Sequence, residues 1–223
     1  MSSHHIVREK QEPALIIANG EGCSYELLGQ LLEWNPFIIV LDSAIHRVIE
    51  LGIKVDVLLG DFDRNINLTE IQKSQYPIEI IHAPDQDKTD LEKAFELLIT
   101  RGFPSVNVVW ATGRRADHSI TNITNIVRYK SKLHIVLIDD YSVIYPLLSA
   151  PNVFEKWFMK GSPISLIPIG TVNNIRTENL LYKLDNQSLM LGYKSGNSNE
   201  AENDGIVKIS YDSGDLLLME CHD

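Results

Sequence analysis

Short apolar runs alternate with longer amphipathic segments from about residue 14 to residue 138. The runs Ala14 to Ala18, Phe37 to Leu41, Val55 to Leu59, Ile78 to Ile81, Val106 to Trp110 and Leu133 to Ile138 are rich in β-branched residues and bounded by turn formers, which predicts strands. Between them, Tyr25 to Glu33, Ala44 to Leu51, Thr69 to Ser74, Leu91 to Arg101 and Ser119 to Tyr129 carry helical spacing. In the fourth, Leu91, Phe95, Leu98 and Ile99 share one face, while Glu92, Lys93 and Glu96 fall elsewhere. Strand and helix in alternation predict a parallel sheet with helices packed on its faces. In such sheets ligands collect beyond the carboxyl ends of the strands.

Beyond Tyr141 the rhythm changes. Runs at Ile164 to Ile169, Leu180 to Leu184, Ser188 to Tyr193, Ile206 to Tyr211 and Leu216 to Glu220 are separated by turn signals. These are Pro168-Ile169-Gly170, Asp185-Asn186, the polar stretch Ser195 to Gly205, and Asp212-Ser213-Gly214. No helix-length periodic segment is left, so a small antiparallel β domain follows, with the boundary near residues 148 to 160.

Hydrophobic residues make up 44% of the 223, enough for a packed core. The 30 acidic against 20 basic side chains give a net charge of −10, and no Lys/Arg stripe appears. That balance argues against a nucleic-acid partner. Cys23 and Cys221 make no disulfide framework, which points to a reduced, cytoplasmic compartment. No run is long enough to span a bilayer, and Met1 to Gln11 is polar, so no membrane association or targeting is expected. His4 and His5 read as part of a frayed terminus rather than as a metal site.

The chemistry concentrates between Leu58 and Asp90. One strand runs into Gly60-Asp61-Phe62-Asp63, and the next into Pro84-Asp85-Gln86-Asp87-Lys88-Thr89-Asp90. Carboxylates so clustered repel unless a cation lies among them, and an all-oxygen donor set suits Mg²⁺ shared with substrate phosphates. On an extended chain Asp61 and Asp63 would point the same way while Phe62 turns to the core. A solvated turn is the plainer account of that pair, and helix capping explains one or two members of the second cluster. A third site, Thr112-Gly113-Arg114-Arg115-Ala116-Asp117-His118, sets a glycine turn and two arginines at a helix entry, which suits phosphate. Its alternative makes Asp117 an N-cap. Asp42 ends another strand, with capping as its simpler role, and Gly20 ends the first.

Taken in order, these segments resemble the thiamin pyrophosphokinase family. The matching pieces are Ala18-Asn19-Gly20, then Asp42 to Arg47 (where that family reads Asp-Gly-Gly-Ala-Asn-Arg), then Gly60 to Asp63, Pro84 to Asp90, and Gly113 to His118, similar to Gly-Gly-Arg-x-Asp-His. Leu166 to Gly170, Leu180 to Leu184 and Ser198-Asn199 are similar to its C-terminal pattern. Ser43, Ala44, His46 and Arg114 depart from it. The resemblance implies an α/β fold: a Rossmann-like parallel-sheet domain over 1–150 that binds ATP and Mg²⁺, and an antiparallel β-sandwich over 151–223 that binds thiamine and forms a homodimer. It implies transfer of the terminal diphosphate of ATP to thiamine, with release of AMP. Asp61, Asp63 and Asp90 would hold Mg²⁺, with Asp87 beside them. Gln86, Arg115 and Asp117 would position phosphates and the attacking hydroxyl, and Asp42 would line the same crevice. Ser198 and Asn199 would contact thiamine, with Tyr182 as an apolar wall. The alternative is a catalytically inactive module that binds thiamine or a nucleotide.

Overall fold

The computed structural model describes residues 13–63 and 66–222; His4 and His5 lie outside them. The chain forms two compact units, one of Met1–Asn122 with Lys132–His134 and one of Ile123–Ser131 with Ile135–Asp223.

The first unit is the expected parallel sheet. Its strands are β1 (Ala14–Ile17), β2 (Ile38–Leu41), β3 (Val57–Gly60), β4 (Glu79–His82) and β5 (Ser105–Val109), in the order β4-β3-β2-β1-β5 and parallel at each pairing. Every residue of β1, β2 and β3 is buried, which is why these segments read as unbroken apolar runs rather than alternating ones. The helices are α1 (Tyr25–Leu32), α2 (Ala44–Glu50), α3 (Leu68–Ser74), α4 (Asp90–Thr100) and α5 (Ala116–Asn125). α4 starts where a capping box fixes it: Thr89 accepts from the Glu92 N–H, and the Glu92 carboxylate accepts from the Thr89 N–H. Leu91, Ala94, Phe95 and Leu98 then bury its inner face. Successive strands step outward from β1 to β4, and β5 returns to the other side of β1. The strand order therefore reverses at β1 and β5, and the crevice beyond their carboxyl ends is where such folds bind ligands.

In the second unit β6 (His134–Ile138) pairs antiparallel with β7 (Ser142–Leu147). By packing, the chain passes from one unit to the other within residues 122–135. A tight turn joins β6 to β7: Asp139 donates its N–H to the Ser142 carbonyl at 3.0 Å, and its carboxylate accepts from the Tyr141 N–H at 3.0 Å. β8 (Phe154–Phe158), β9 (Pro163–Glu178), β10 (Gln187–Met190), β11 (Gly196–Glu200), β12 (Gly205–Ser210) and β13 (Ser213–Cys221) complete an antiparallel unit. Its core includes Ile164, Leu166, Val172, Ile175, Val207, Leu216 and Leu218.

Three expectations here need correction. Pro168-Ile169-Gly170 does not end a strand. Gly170 takes φ +77° inside a 16-residue β9 that pairs with β10, β11, β12 and β13 in turn. The stretch from Ser195 to Gly205 contains β11 rather than only loop. Leu180 to Leu184 is not a strand: Leu180 is buried and bridges Ala201, but Leu181 and Tyr182 face outward.

Candidate active site

A cavity of about 530 Å³ opens beyond the carboxyl ends of the first unit's strands. Each strand contributes to it through the loop that follows: Asn19 and Gly20 after β1, Asp42 after β2, Asp61 after β3, Gln86 and Asp90 after β4, and Gly113 to Arg115 after β5. Carboxylates therefore face a rim of cations and backbone amides.

The loops after β1 and β5 are fastened together. Gly20 donates its N–H to the Trp110 carbonyl at 2.6 Å, and Glu21 to the Thr112 carbonyl at 2.8 Å. A side chain at Gly20 would come within 2.3 Å of the Thr112 oxygen, so that position admits only glycine. Arg47 of α2 braces the same corner. It lies 4.3 Å from the Trp110 ring centroid and donates to the Asn19 side-chain oxygen at 3.2 Å and to the Gly20 carbonyl at 2.9 Å. The Asn19 amide is thereby oriented to donate to Ser43 Oγ at 2.8 Å, which gives the serine standing in place of a glycine a local role. Burial, then the Arg114 guanidinium nearby, lowers the Arg47 pKa.

Asp42 does not cap α2. Its backbone is left-handed, with φ +44°, and its N–H donates to the Leu59 carbonyl at 2.8 Å. One carboxylate oxygen, Oδ1, is buried with no hydrogen-bond partner among the described residues. Gly60 lets this turn sit against β3, since a Cβ there would lie 3.1 Å from Asp42 Cα.

Asp61 and Asp63 are not on extended backbone, because Phe62 between them has φ +54°. Phe62 is only half-buried and stacks on the exposed His82 ring at 6.0 Å rather than entering the core. Asp61 lines the cavity; its Oδ1 accepts from the Asp63 N–H at 3.3 Å and its Oδ2 from the Gln86 amide at 3.4 Å. Burial pushes the Asp61 pKa up, but these two donors and the charge of Lys93 outweigh it, and the net shift is downward. Asp63 is exposed at the edge. Asp85 and Asp87 form their own turn, with the Asp87 N–H on the Asp85 carboxylate at 2.9 Å; both are exposed and neither lines the cavity.

Asp90, first residue of α4, is partly buried, with its side chain 26% exposed. Burial raises its pKa, Asp61 and Asp42 add to the rise, and Lys93 opposes it. Lys93 donates to Asp90 Oδ1 at 3.1 Å and to the Ala83 carbonyl at 2.7 Å, with its side chain only 10% exposed. Sequence reading placed Lys93 off the helix's apolar face and gave it no role. The i,i+3 spacing from Asp90 was the available signal.

Asp117 is not an N-cap either, since α5 already begins at Ala116. Arg115 grips it in a fork, Nε to Oδ1 at 3.1 Å and Nη2 to Oδ2 at 2.5 Å, and this guanidinium holds the carboxyl down at about 2. Arg115 lines the cavity and Asp117 does not. His118 and Asn122, assigned no role from sequence, also line it; Asn122 ties α5 to the end of β5 through the Ala111 carbonyl at 2.8 Å.

Tyr182, Ser198 and Asn199 belong to the second unit. Asn199 is buried and its amide is spent on backbone: it accepts from the Tyr182 and Glu200 N–H groups and donates to the Tyr182 carbonyl, all within 3.0 Å. Its direct effect is to hold Tyr182, which is 66% exposed. Ser198 is exposed at φ +56°, with its N–H on Ser165 Oγ at 3.0 Å.

Among the described residues no three His, Cys, Asp or Glu side chains are grouped closely enough to hold an ion by themselves. The donors nevertheless fit a hard cation that completes its shell with phosphate oxygens and water. Among the described residues Asp42 offers a buried oxygen with no partner, and Asp61 and Asp42 both work against the charged form of Asp90, an effect that Lys93 opposes.

The model of the thiamin pyrophosphokinase catalytic domain matches residues 28–137, and that of the thiamin pyrophosphokinase vitamin B1 binding domain matches residues 152–216. Thiamine pyrophosphokinase 1 of Oryza sativa subsp. japonica is 32% identical over 74% of this chain, which spans 65% of that protein. Thiamin pyrophosphokinase 1 of Caenorhabditis elegans is 24% identical over 87% of this chain and 84% of its own length. The crystal structure of thiamine pyrophosphokinase from Bacillus subtilis matches the fold with a TM-score of 0.80 at 24% identity, over 95% of this chain and 100% of that one. The yeast thiamin pyrophosphokinase structure gives 0.80 at 15% identity, over 96% and 87%. Both matched domains occur here in order and together cover most of the chain, so this chain belongs to the thiamin pyrophosphokinase family.

Proposed function

We propose that this member of the family transfers the diphosphate of ATP to the hydroxyethyl oxygen of thiamine. The observation that carries the reading is the crevice at the strand reversal, where Asp42, Asp61 and Asp90 face Gly113, Arg114 and Arg115 across one cavity. A polyphosphate needs both walls: cations and amide N–H groups for its oxygens, and carboxylates for the ion that travels with it.

In this reading the alcohol oxygen attacks the β-phosphorus, and the bond from that phosphorus to the bridging oxygen of the α-phosphate breaks. AMP leaves with the bridging oxygen, and the alcohol's proton is released. Asp61, Asp90 and the partnerless oxygen of Asp42 would hold Mg²⁺, with Asp63 completing the set from the rim and Asp87 beyond it. When bound, the ion would neutralise phosphate charge. Gln86 steadies Asp61 through its amide, Lys93 steadies Asp90, and Asp117 orients Arg115 by their two hydrogen bonds. These side chains are braced before substrate arrives, so little reorganisation accompanies the reaction.

The second unit takes thiamine in our reading, with Ser198 and the exposed face of Tyr182 as contacts and Asn199 holding Tyr182 in place. We also propose that the protein acts as a cytoplasmic homodimer. No helix among the described residues is long and apolar enough to cross a membrane.

The test is an assay with ATP, Mg²⁺ and thiamine that follows nucleotide products, together with sedimentation to read assembly. AMP without ADP is expected, from a dimer. Thiamine binding without turnover would favour an inactive binding module. Ser198→Ala should raise KM for thiamine more than for ATP, and equal effects would remove it from the vitamin site.

A further inference from the structure

Arg114 sits where the backbone asks for glycine. Its φ is +54°, directly after Gly113 at +75°, so two consecutive residues are left-handed. An L-residue is strained there, and arginine is not among the types that relieve the strain with a local side-chain hydrogen bond. The surroundings hold the conformation in place. Glu21 N–H bonds the Thr112 carbonyl at 2.8 Å on one side, and Ser119 Oγ donates to the Gly113 carbonyl at 3.1 Å on the other.

Strain of this kind persists where a side chain is needed at a particular place. The Arg114 side chain is exposed, lines the cavity, and makes no ion pair among the described residues. Its single side-chain hydrogen bond among the described residues is a long one, 3.5 Å from Nη1 to the Asn19 carbonyl, itself on the cavity wall. The neighbouring cations are committed elsewhere. Arg115 is forked onto Asp117, Lys88 reaches Glu96 at 2.7 Å, Lys93 serves Asp90 and Ala83, and Arg47 serves Asn19 and Gly20. A chain with net charge −10 thus presents, among the described residues, one uncommitted guanidinium to a cavity whose opposite wall is acidic.

We infer that Arg114 is a substrate-binding residue that grips the phosphate chain of the nucleotide, an added cation beyond the loop's Arg115. The inference rests on the reading of this cavity as a polyphosphate site, and it makes Arg114 a determinant of nucleotide affinity rather than of fold.

Two variants separate those roles. Arg114→Gly removes the charge and the strain together, whereas Arg114→Met removes the charge and keeps the strain. Calorimetric titration of the full chain with ATP and with inorganic tripolyphosphate, Mg²⁺ present and thiamine absent, should show both variants binding about tenfold more weakly than the parent, the scale of one charge-assisted hydrogen bond. Melting should move differently, with Arg114→Gly at or above the parent and Arg114→Met no higher than it. Arg114→Lys should recover part of the affinity. Binding of both probes within about twofold of the parent in both variants would overturn the inference. So would a loss confined to the less stable variant, or a parent that binds neither probe. A parent that binds both probes but makes no AMP from ATP and thiamine would sink the kinase reading while leaving the Arg114 assignment standing.

Discussion

Replacing Lys93 by methionine tests whether the carboxylate cluster is held together from within. Methionine keeps most of the aliphatic stem, so packing changes little, while the ammonium's bonds to Asp90 Oδ1 and the Ala83 carbonyl are both lost. Bonds of this kind contribute about 1.5–3 kcal/mol each when one partner is charged. Lys93 is only 10% exposed, but Asp90 is 26% exposed and can recover some water, so the net loss should be about 2–3 kcal/mol. For a chain of this size that corresponds to a melting temperature lower by about 4–12 °C. The assay is thermal unfolding by circular dichroism in metal-free buffer at neutral pH. The deficit should also depend on pH with a definite sign. Burial first, then Asp61 and Asp42, push the Asp90 carboxyl up, so the native state holds that proton more readily than the unfolded chain. Stability therefore falls as pH rises through the window above the ordinary carboxylate value, and loss of Lys93 should steepen the fall. Below that window the carboxyl is protonated and the deficit should shrink. In the Asp90→Asn background the share owed to the Asp90 bond should vanish and the share owed to the Ala83 carbonyl should remain, as a double-mutant cycle would show. A Lys93→Met protein that melts with the parent, or a penalty equally large without the Asp90 charge, would refute the reasoning.

Asp61→Asn should lower turnover about a hundredfold or more with the circular dichroism spectrum unchanged, since a group that holds transition-state charge is lost; near-normal turnover would return Asp61 to a plain turn. Gly20→Ala places a methyl group 2.3 Å from the Thr112 carbonyl and 2.5 Å from that of Trp110, and should destabilise by about 1–3 kcal/mol in chemical denaturation. Gly29→Ala, inside α1 with nothing within 4 Å, should stabilise by about 0.5–1 kcal/mol, and equal effects at the two glycines would contradict the packing. The Asp117 carboxyl should titrate by NMR near 2 and return toward the usual range in Arg115→Ala. Because its folded value is depressed, the contribution of this pair is present above the ordinary carboxylate value and fades as pH falls toward 2, and an unmoved midpoint in the variant would exclude the fork in solution.

The parallel sheet was legible because burial on both faces writes itself as continuous apolar runs, and α4 because its capping box and its Leu91–Phe95–Leu98 stripe agree. The second unit was less so. Gly170, a turn signal by type, bends a strand instead of ending it, and the polar residues of β11 pair through backbone, where side-chain pattern carries no signal. At the site, sequence identified the acidic loops but misjudged their geometry. The left-handed φ values at Phe62 and Arg114 belong to residue types that do not announce them, and the way Asp61 and Asp63 turn follows from the angle at Phe62. Lys93 escaped notice because a lysine beside an apolar stripe ordinarily means solvent.

The fastening of the β1 and β5 loops bears on how freely this crevice could be re-engineered. Its bonds, Gly20 to Trp110 and Glu21 to Thr112, run entirely through main chain, so among substitutions at Asn19, Glu21, Thr112 or Arg114 only proline at Glu21, which has no N–H to donate, deletes one outright. What the latch demands is the absence of a side chain at Gly20 and Gly113, where a methyl group would meet Thr112 and Glu21 within 2.4 Å. Combinatorial libraries that hold those two glycines fixed and randomise the rim around them should therefore return mostly folded proteins. Acceptor or nucleotide preference can then be selected at these positions without first reinforcing the scaffold.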